Sequence, residues 1–182
     1  MNILAWLIRL ISRFNSILGQ LFSWLSLAMV LVCFAVVVMR YVFSTGFIWM
    51  QDLYVWMNGA MFMGVAGYTL LKNGHVRVDI FYRPASLRFK AWVDILGSLL
   101  FVGPFIWILV QYSLPFVQRS WRFYEGSANY GGMPGLFVLK SFILLFALVI
   151  GLQALAMLLR GVLVLADREQ LLPEDLRYQE AR

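Results

Sequence analysis

The chain has 182 residues, 62% of them hydrophobic and 13% charged, and its 15 Lys and Arg against nine Asp and Glu give a net charge of +6. A soluble domain is roughly 45–50% apolar and about 25% charged, so this chain has too little polar surface to cover a water-soluble globule, and a soluble enzyme is excluded. The basic residues flank apolar runs, which fits a membrane surface and argues against nucleic acid as a partner.

Residues 1–16 place Arg9, Ser12, Arg13 and Ser16 at i, i+3, i+4 and i+7, a narrow polar stripe on a helix. Trp6, Leu7, Leu10, Ile11 and Phe14 fill the remaining surface. This pattern predicts an amphipathic helix lying in the membrane interface, ahead of a transmembrane domain over 17–165. Four charge-free runs follow, at 14–39, 53–71, 95–118 and 141–159. A bilayer core takes about 20 apolar residues as helix. The runs therefore predict four spans, at about 18–39, 52–71, 92–116 and 137–165. They are continuous and not alternating, which disfavours a β-barrel. The first lacks a small-residue cleavage site and reads as a retained helix and not a signal. The expected fold is an all-α membrane protein with four transmembrane helices and an N-terminal interfacial helix.

Placing the N-terminus inside puts eleven of the 15 Lys and Arg on the inner side and leaves Arg40, Arg119, Arg122 and Lys140 outside. That bias predicts both termini in the cytoplasm. The tail 166–182 mixes charges around Pro173 and is expected to be a frayed, soluble end.

Within the second span, Ala60, Gly64 and Gly67 share a face and allow close helix approach. In the inner loop 72–86, His75, Arg77 and Asp79 alternate with Val76, Val78 and Ile80. An extended strap at headgroup level would show that alternation, and so would an ordinary basic loop. The outer loop 117–135 carries Arg119, Arg122, Glu125, Gly131, Gly132 and Pro134, with aromatic residues suited to an interface belt. Two charge pairs are expected at the outer boundary, Arg40 with Asp52 and Glu125 with Lys140.

Asp52, Asp94, Lys140 and Arg160 lie near span ends, and Gln111 and Gln153 are the polar groups at mid-depth. A proton relay or charged substrate cradle normally needs an ionisable group there. The chain therefore reads as unable to transport by itself. One cysteine, Cys33, and one histidine, His75, supply neither a disulfide framework nor a metal or haem centre. No nucleophile–base motif and no phosphate-cradling loop occurs. No catalytic, cofactor-binding or metal residue is assigned, and the chain is not expected to be an enzyme.

Several strings then carry a resemblance: RYVFSTG from Arg40, GYTL from Gly67, GHVRVDIFY from Gly74, DILG from Asp94, PFVQRSW from Pro115, EGS from Glu125 and GGMP from Gly131, with Gln51, Lys140 and Gln153. Together they resemble the small membrane subunit, DctQ-like, of tripartite ATP-independent periplasmic (TRAP) transporters, over about Arg40 to Gln153. The family often has a carboxylate pair near the start of the second span, whereas this chain has only Asp52 in Trp49–Asp52. The resemblance implies a non-catalytic scaffold in the bacterial inner membrane. Its implied partners are a large elevator-type permease, driven by sodium, a periplasmic binding protein that delivers an organic acid, and membrane lipids. An anchor or accessory subunit of another multi-subunit membrane complex is the alternative. Candidate structural or partner contacts are Arg40, Asp52, Gly64, Gly67, His75, Arg77, Asp79, Glu125 and Lys140.

Overall fold

The computed structural model describes residues 1–75, 82 and 84–178, and all regular structure among them is helical. Helix α1 runs Asn2–Tyr41, α2 Ile48–Leu71 and α3 Leu87–Gly97. A π-helical turn, Ser98–Val102, joins α3 to α4, Gly103–Arg122, and α5 spans Leu136–Leu165. Two 3₁₀ turns follow, Glu169–Leu171 and Glu174–Leu176. The π turn has a local cause. Pro104 offers no N–H to the ladder, and the Gly103 N–H reaches the Ser98 carbonyl five residues back.

Among the described residues three rods are long and apolar enough to cross a membrane: Asn2–Tyr41, Leu87–Arg122 and Leu136–Leu165. Helix α2 stands apart by composition. Its 24 residues extend about 36 Å at ~1.5 Å per residue, but Gln51, Asp52, Asn58, Thr69 and five glycine or tyrosine positions dilute its apolar content.

The break expected between residues 1–16 and the first span is absent, because α1 is one helix of 40 residues. No proline interrupts it, and Gly19 is used for contact: a Cβ there would lie 2.2 Å from Tyr68 Cβ. The expected division of its surface is also turned around. Ala5, Ile8, Ser12, Asn15 and Gly19, spaced three and four apart, form the buried face, while Trp6 is 58% exposed. Leu10, Phe14 and Ile17 point outward as well. Small and short side chains let α1 approach its neighbours closely, and the large apolar ones face the surroundings, as they do when the solvent is lipid.

Helix α2 lies against α1 and α5 through the predicted small face. At Gly64 an added Cβ would meet Phe22 Cγ at 2.4 Å, and at Gly67 it would meet Asn15 Oδ1 at 2.7 Å and the Val149 carbonyl at 2.8 Å. This face is therefore an intrachain contact. Ala66, Val149 and Ile150 form the centre of the bundle.

The tail corrects the expectation of a frayed end. As far as Tyr178 it folds back on the bundle. Leu172 is 1% exposed and packs with Ala5, Ile8 and Leu163. Tyr178, 9% exposed, packs with Ala91 and Val164. Pro173 separates the two turns without unravelling the segment, because apolar Leu172 and Tyr178 anchor either side of it. The N-terminus and the tail as far as Tyr178 thus share one end of the bundle, and the connections 42–47 and 123–135 occupy the other.

Candidate functional site

Polar groups gather at three levels. The first is the loop end. Helix α4 stops at Arg122, and Gly135, with φ +96°, opens α5 from a backbone conformation that favours glycine. Between them the chain wraps around one carboxylate. Asn129 Nδ2 donates to Asp52 Oδ1 at 3.0 Å and the Met133 N–H donates to Asp52 Oδ2 at 3.0 Å. The Ser127 hydroxyl is a third hydrogen-bond partner. Asp52 is 7% exposed, so these donors replace water. The loop closes on itself as well, with the Ser127 N–H on the Met133 carbonyl at 2.9 Å and the Gly132 N–H on the Asn129 carbonyl at 2.9 Å. Gly132 allows the approach: a Cβ there would be 2.3 Å from Asp52 Oδ2.

The same loop is tied to α5. Lys140 Nζ donates to Glu125 Oε2 at 2.5 Å, and the Ser120 hydroxyl donates to the same oxygen at 2.7 Å. Lys140 also sits 4.0 Å above the Phe116 ring. The Lys140 hydrogen bond, followed by that from Ser120, holds the Glu125 carboxyl below its ordinary value of 4.5. Trp121 Nε1 donates to Ser141 Oγ at 2.8 Å and its ring meets Phe137 edge-on at 4.6 Å. Asp52, Glu125 and Lys140 therefore fasten α2, α4 and α5 together through residues 125–134. Arg40 does not join them. It is exposed at the end of α1, and Asp52 is occupied by the loop. The expected Arg40–Asp52 pair is replaced, because backbone and amide donors reach a buried carboxylate without bringing a second charge out of water.

The second level is the terminal end. Arg160 Nη2 donates to Asp94 Oδ2 at 2.9 Å, and the Tyr178 hydroxyl donates to the same oxygen at 2.7 Å. Tyr82 Oη reaches Asp94 Oδ1 at 3.2 Å. The guanidinium of Arg160 lies 4.1 Å over the Tyr178 ring. Arg160 therefore turns inward to its partners instead of snorkelling. Burial pushes the Tyr178 phenol above its ordinary value, and the nearby Arg160 charge opposes that shift. His75 is exposed, and Arg77 and Asp79 lie outside the described residues.

The third level is mid-bundle. Asn15 Nδ2 donates to Gln153 Oε1 at 3.0 Å and to the Val149 carbonyl at 3.2 Å, joining α1 to α5. Gln111 is exposed instead. Sequence reasoning missed Asn15, Asn129 and Tyr178, and it named Ser127 and Gly132 in the outer loop without placing them at Asp52. Opposite charges at one depth were a usable signal for Asp94 with Arg160, whereas Asn15 is disguised beside the Arg9–Ser16 stripe. Among the described residues no group of three or more His, Cys, Asp or Glu is placed to hold a metal. The arrangement can fasten helices, and all its charged groups lie at the two ends.

A family model described as the DctQ component of tripartite ATP-independent periplasmic transporters matches residues 29–164. Neither a curated protein nor a solved structure matches the chain.

Proposed function

Because this chain belongs to the DctQ family of tripartite ATP-independent periplasmic transporter components, we propose that it is the small, non-catalytic scaffold subunit of a sodium-driven importer. Its partners are the large elevator-type permease, which moves the substrate, and a periplasmic binding protein, which delivers an organic acid. The assembly sits in the bacterial inner membrane. The chain crosses four times with both termini in the cytoplasm, α2 being the fourth crossing. The family match carries this reading. The Lys/Arg asymmetry supports the orientation, and the fastening at both ends supports the role: a moving domain needs a stationary neighbour, and helices tied at two levels resist being dragged. Aromatic residues near the span ends, Trp49 and Trp121 among them, add resistance to tilt.

Reconstitution tests it. Vesicles holding this chain alone, the permease alone, or both are supplied with loaded binding protein and a sodium gradient. Uptake is expected only where the permease is present, and faster with both subunits. Uptake by this chain alone would remove the scaffold reading.

A further inference from the structure

The stripe Arg9–Ser16 has no part in the fastening just described, and it lies outside the residues matched by the family model. It lines a cavity of about 300 Å³ between α1, the end of α2 and the C-terminal turns, with Arg9, Ser12, Arg13, Ser16, Lys72 and Asp175 among its walls. We propose that this cavity holds the phosphate headgroup of an anionic phospholipid.

Four observations converge on that ligand. Three cations face one carboxylate, so the cavity carries an excess of positive charge. Among the described residues none of the three cations makes an ion pair, since the pairs join Arg88 to Asp167, Lys140 to Glu125 and Arg160 to Asp94. Ser12 is 6% exposed, and its hydroxyl has no hydrogen-bond partner. A buried, unmatched hydroxyl is costly, and a phosphate oxygen would satisfy it. Ile17 and Leu71 line the same cavity, and the exposed Leu10, Phe14 and Ile17 continue an apolar surface along α1. A free phosphate has no use for that surface, whereas acyl chains do. Basic pockets between helices at the membrane boundary are suited to such headgroups. Arg9 spends Nε on the Ala5 carbonyl at 3.2 Å, which orients its remaining donors.

The test is lipid retention by the full chain in mild nonionic detergent, read by native mass spectrometry. The probes are phosphatidylglycerol, phosphatidylcholine with the same acyl chains, and inorganic phosphate. Phosphatidylglycerol is expected to be retained at least tenfold over phosphatidylcholine and to resist millimolar phosphate. R13Q should lower its retention about fivefold, as expected for one cation at a lipid surface, and R9Q/R13Q/K72Q should abolish it. S12A should raise the thermal midpoint without lipid yet reduce the midpoint gain on adding phosphatidylglycerol, a split that a merely structural serine would not produce. R40Q, at the other end, should retain lipid like the parent. Should the triple variant fail to fold, R13Q and S12A decide. Equal retention of the two lipids, or loss-free retention in R13Q and S12A, would overturn the proposal. Displacement by inorganic phosphate would also overturn it, assigning the cavity to a free anion.

Discussion

Gly132 shows how one missing side chain sets the geometry of the loop end. Its place beside Asp52 leaves 2.3 Å for a Cβ, so Gly132→Ala must displace Asp52 or Ser127. Overpacking of this kind costs about 1–3 kcal/mol, and the thermal midpoint in detergent should fall accordingly. Gly97→Ala is the control, because its Cβ meets nothing within 4 Å, and alanine in a helix should leave the midpoint unchanged or raise it. A second residue-scale prediction concerns Glu125. Its carboxyl is held below 4.5 in the folded chain by Lys140 and then Ser120. A depressed folded value means the contribution is full above the ordinary value and fades as pH falls through the folded one. The midpoint difference between the parent and Glu125→Gln should thus be present at neutral pH and vanish in acid. A difference that grows on acidification would contradict the assignment.

At the scale of elements, the ion pair between α3 and α5 and the folded tail make separable predictions. The side chains of Asp94 and Arg160 are 5% and 13% exposed. Breaking a buried pair on one side costs about 3–5 kcal/mol, while replacing both partners is much milder. Asp94→Asn should therefore lower the midpoint more than Asp94→Asn with Arg160→Met. If the double variant is the less stable, the pair is not what joins these helices. The tail is tested at Leu172, 1% exposed, where truncation to alanine costs about 2–5 kcal/mol. Arg177 is held through the Leu172 carbonyl at 2.7 Å and the Gln170 carbonyl at 3.1 Å, so trypsin should cut after it slowly in the parent and quickly in Leu172→Ala. Equal rates would mean that the tail is not docked.

These elements also show what a sequence can and cannot disclose. The helices are legible because charge-free runs of span length have few alternatives in lipid. The small face of α2 is legible because Gly64 and Gly67 fall on one side of a helix. Glu125 and Lys140 can be matched by eye because Glu125 is the lone acid of the connection and Lys140 the one charge between it and Arg160. The partners of Asp52 cannot, since a backbone N–H from Met133 leaves no mark in the residue string. The tail misleads for a related reason. Its charges suggest solvent, and only three-dimensional packing reveals that Leu172 and Tyr178 each reach a buried surface. The stripe on α1 misleads because its periodicity is real while its neighbours, Lys72 and the C-terminal turns, lie far away in the chain.

For the whole molecule the quantity to measure is the number of crossings, because α2 is not among the three helices long and apolar enough to cross a membrane. Its two ends bear on the answer. Asp52 meets Asn129 and Met133 at the loop end, while Lys72, just past its last turn, lines the cavity shared with Arg9 and Asp175 at the terminal end. Under the proposed four-crossing topology, α2 runs between the same two ends as the three apolar rods and crosses the same slab. A half-inserted α2 would instead strand Asp52 or Lys72 in hydrocarbon, at a cost of roughly 2.5–3.5 kcal/mol for a charge near the centre. Four crossings place Thr45 and Tyr130 on one side and both termini on the other. In a Cys33→Ser background, single cysteines at Thr45 and at Tyr130, which is 99% exposed, should react with an impermeant maleimide in intact cells. Cysteines at Asn2 and Glu174 should react only after permeabilisation. Opposite behaviour of Asn2 and Glu174 would mean an odd number of crossings, and would move α2 out of the membrane.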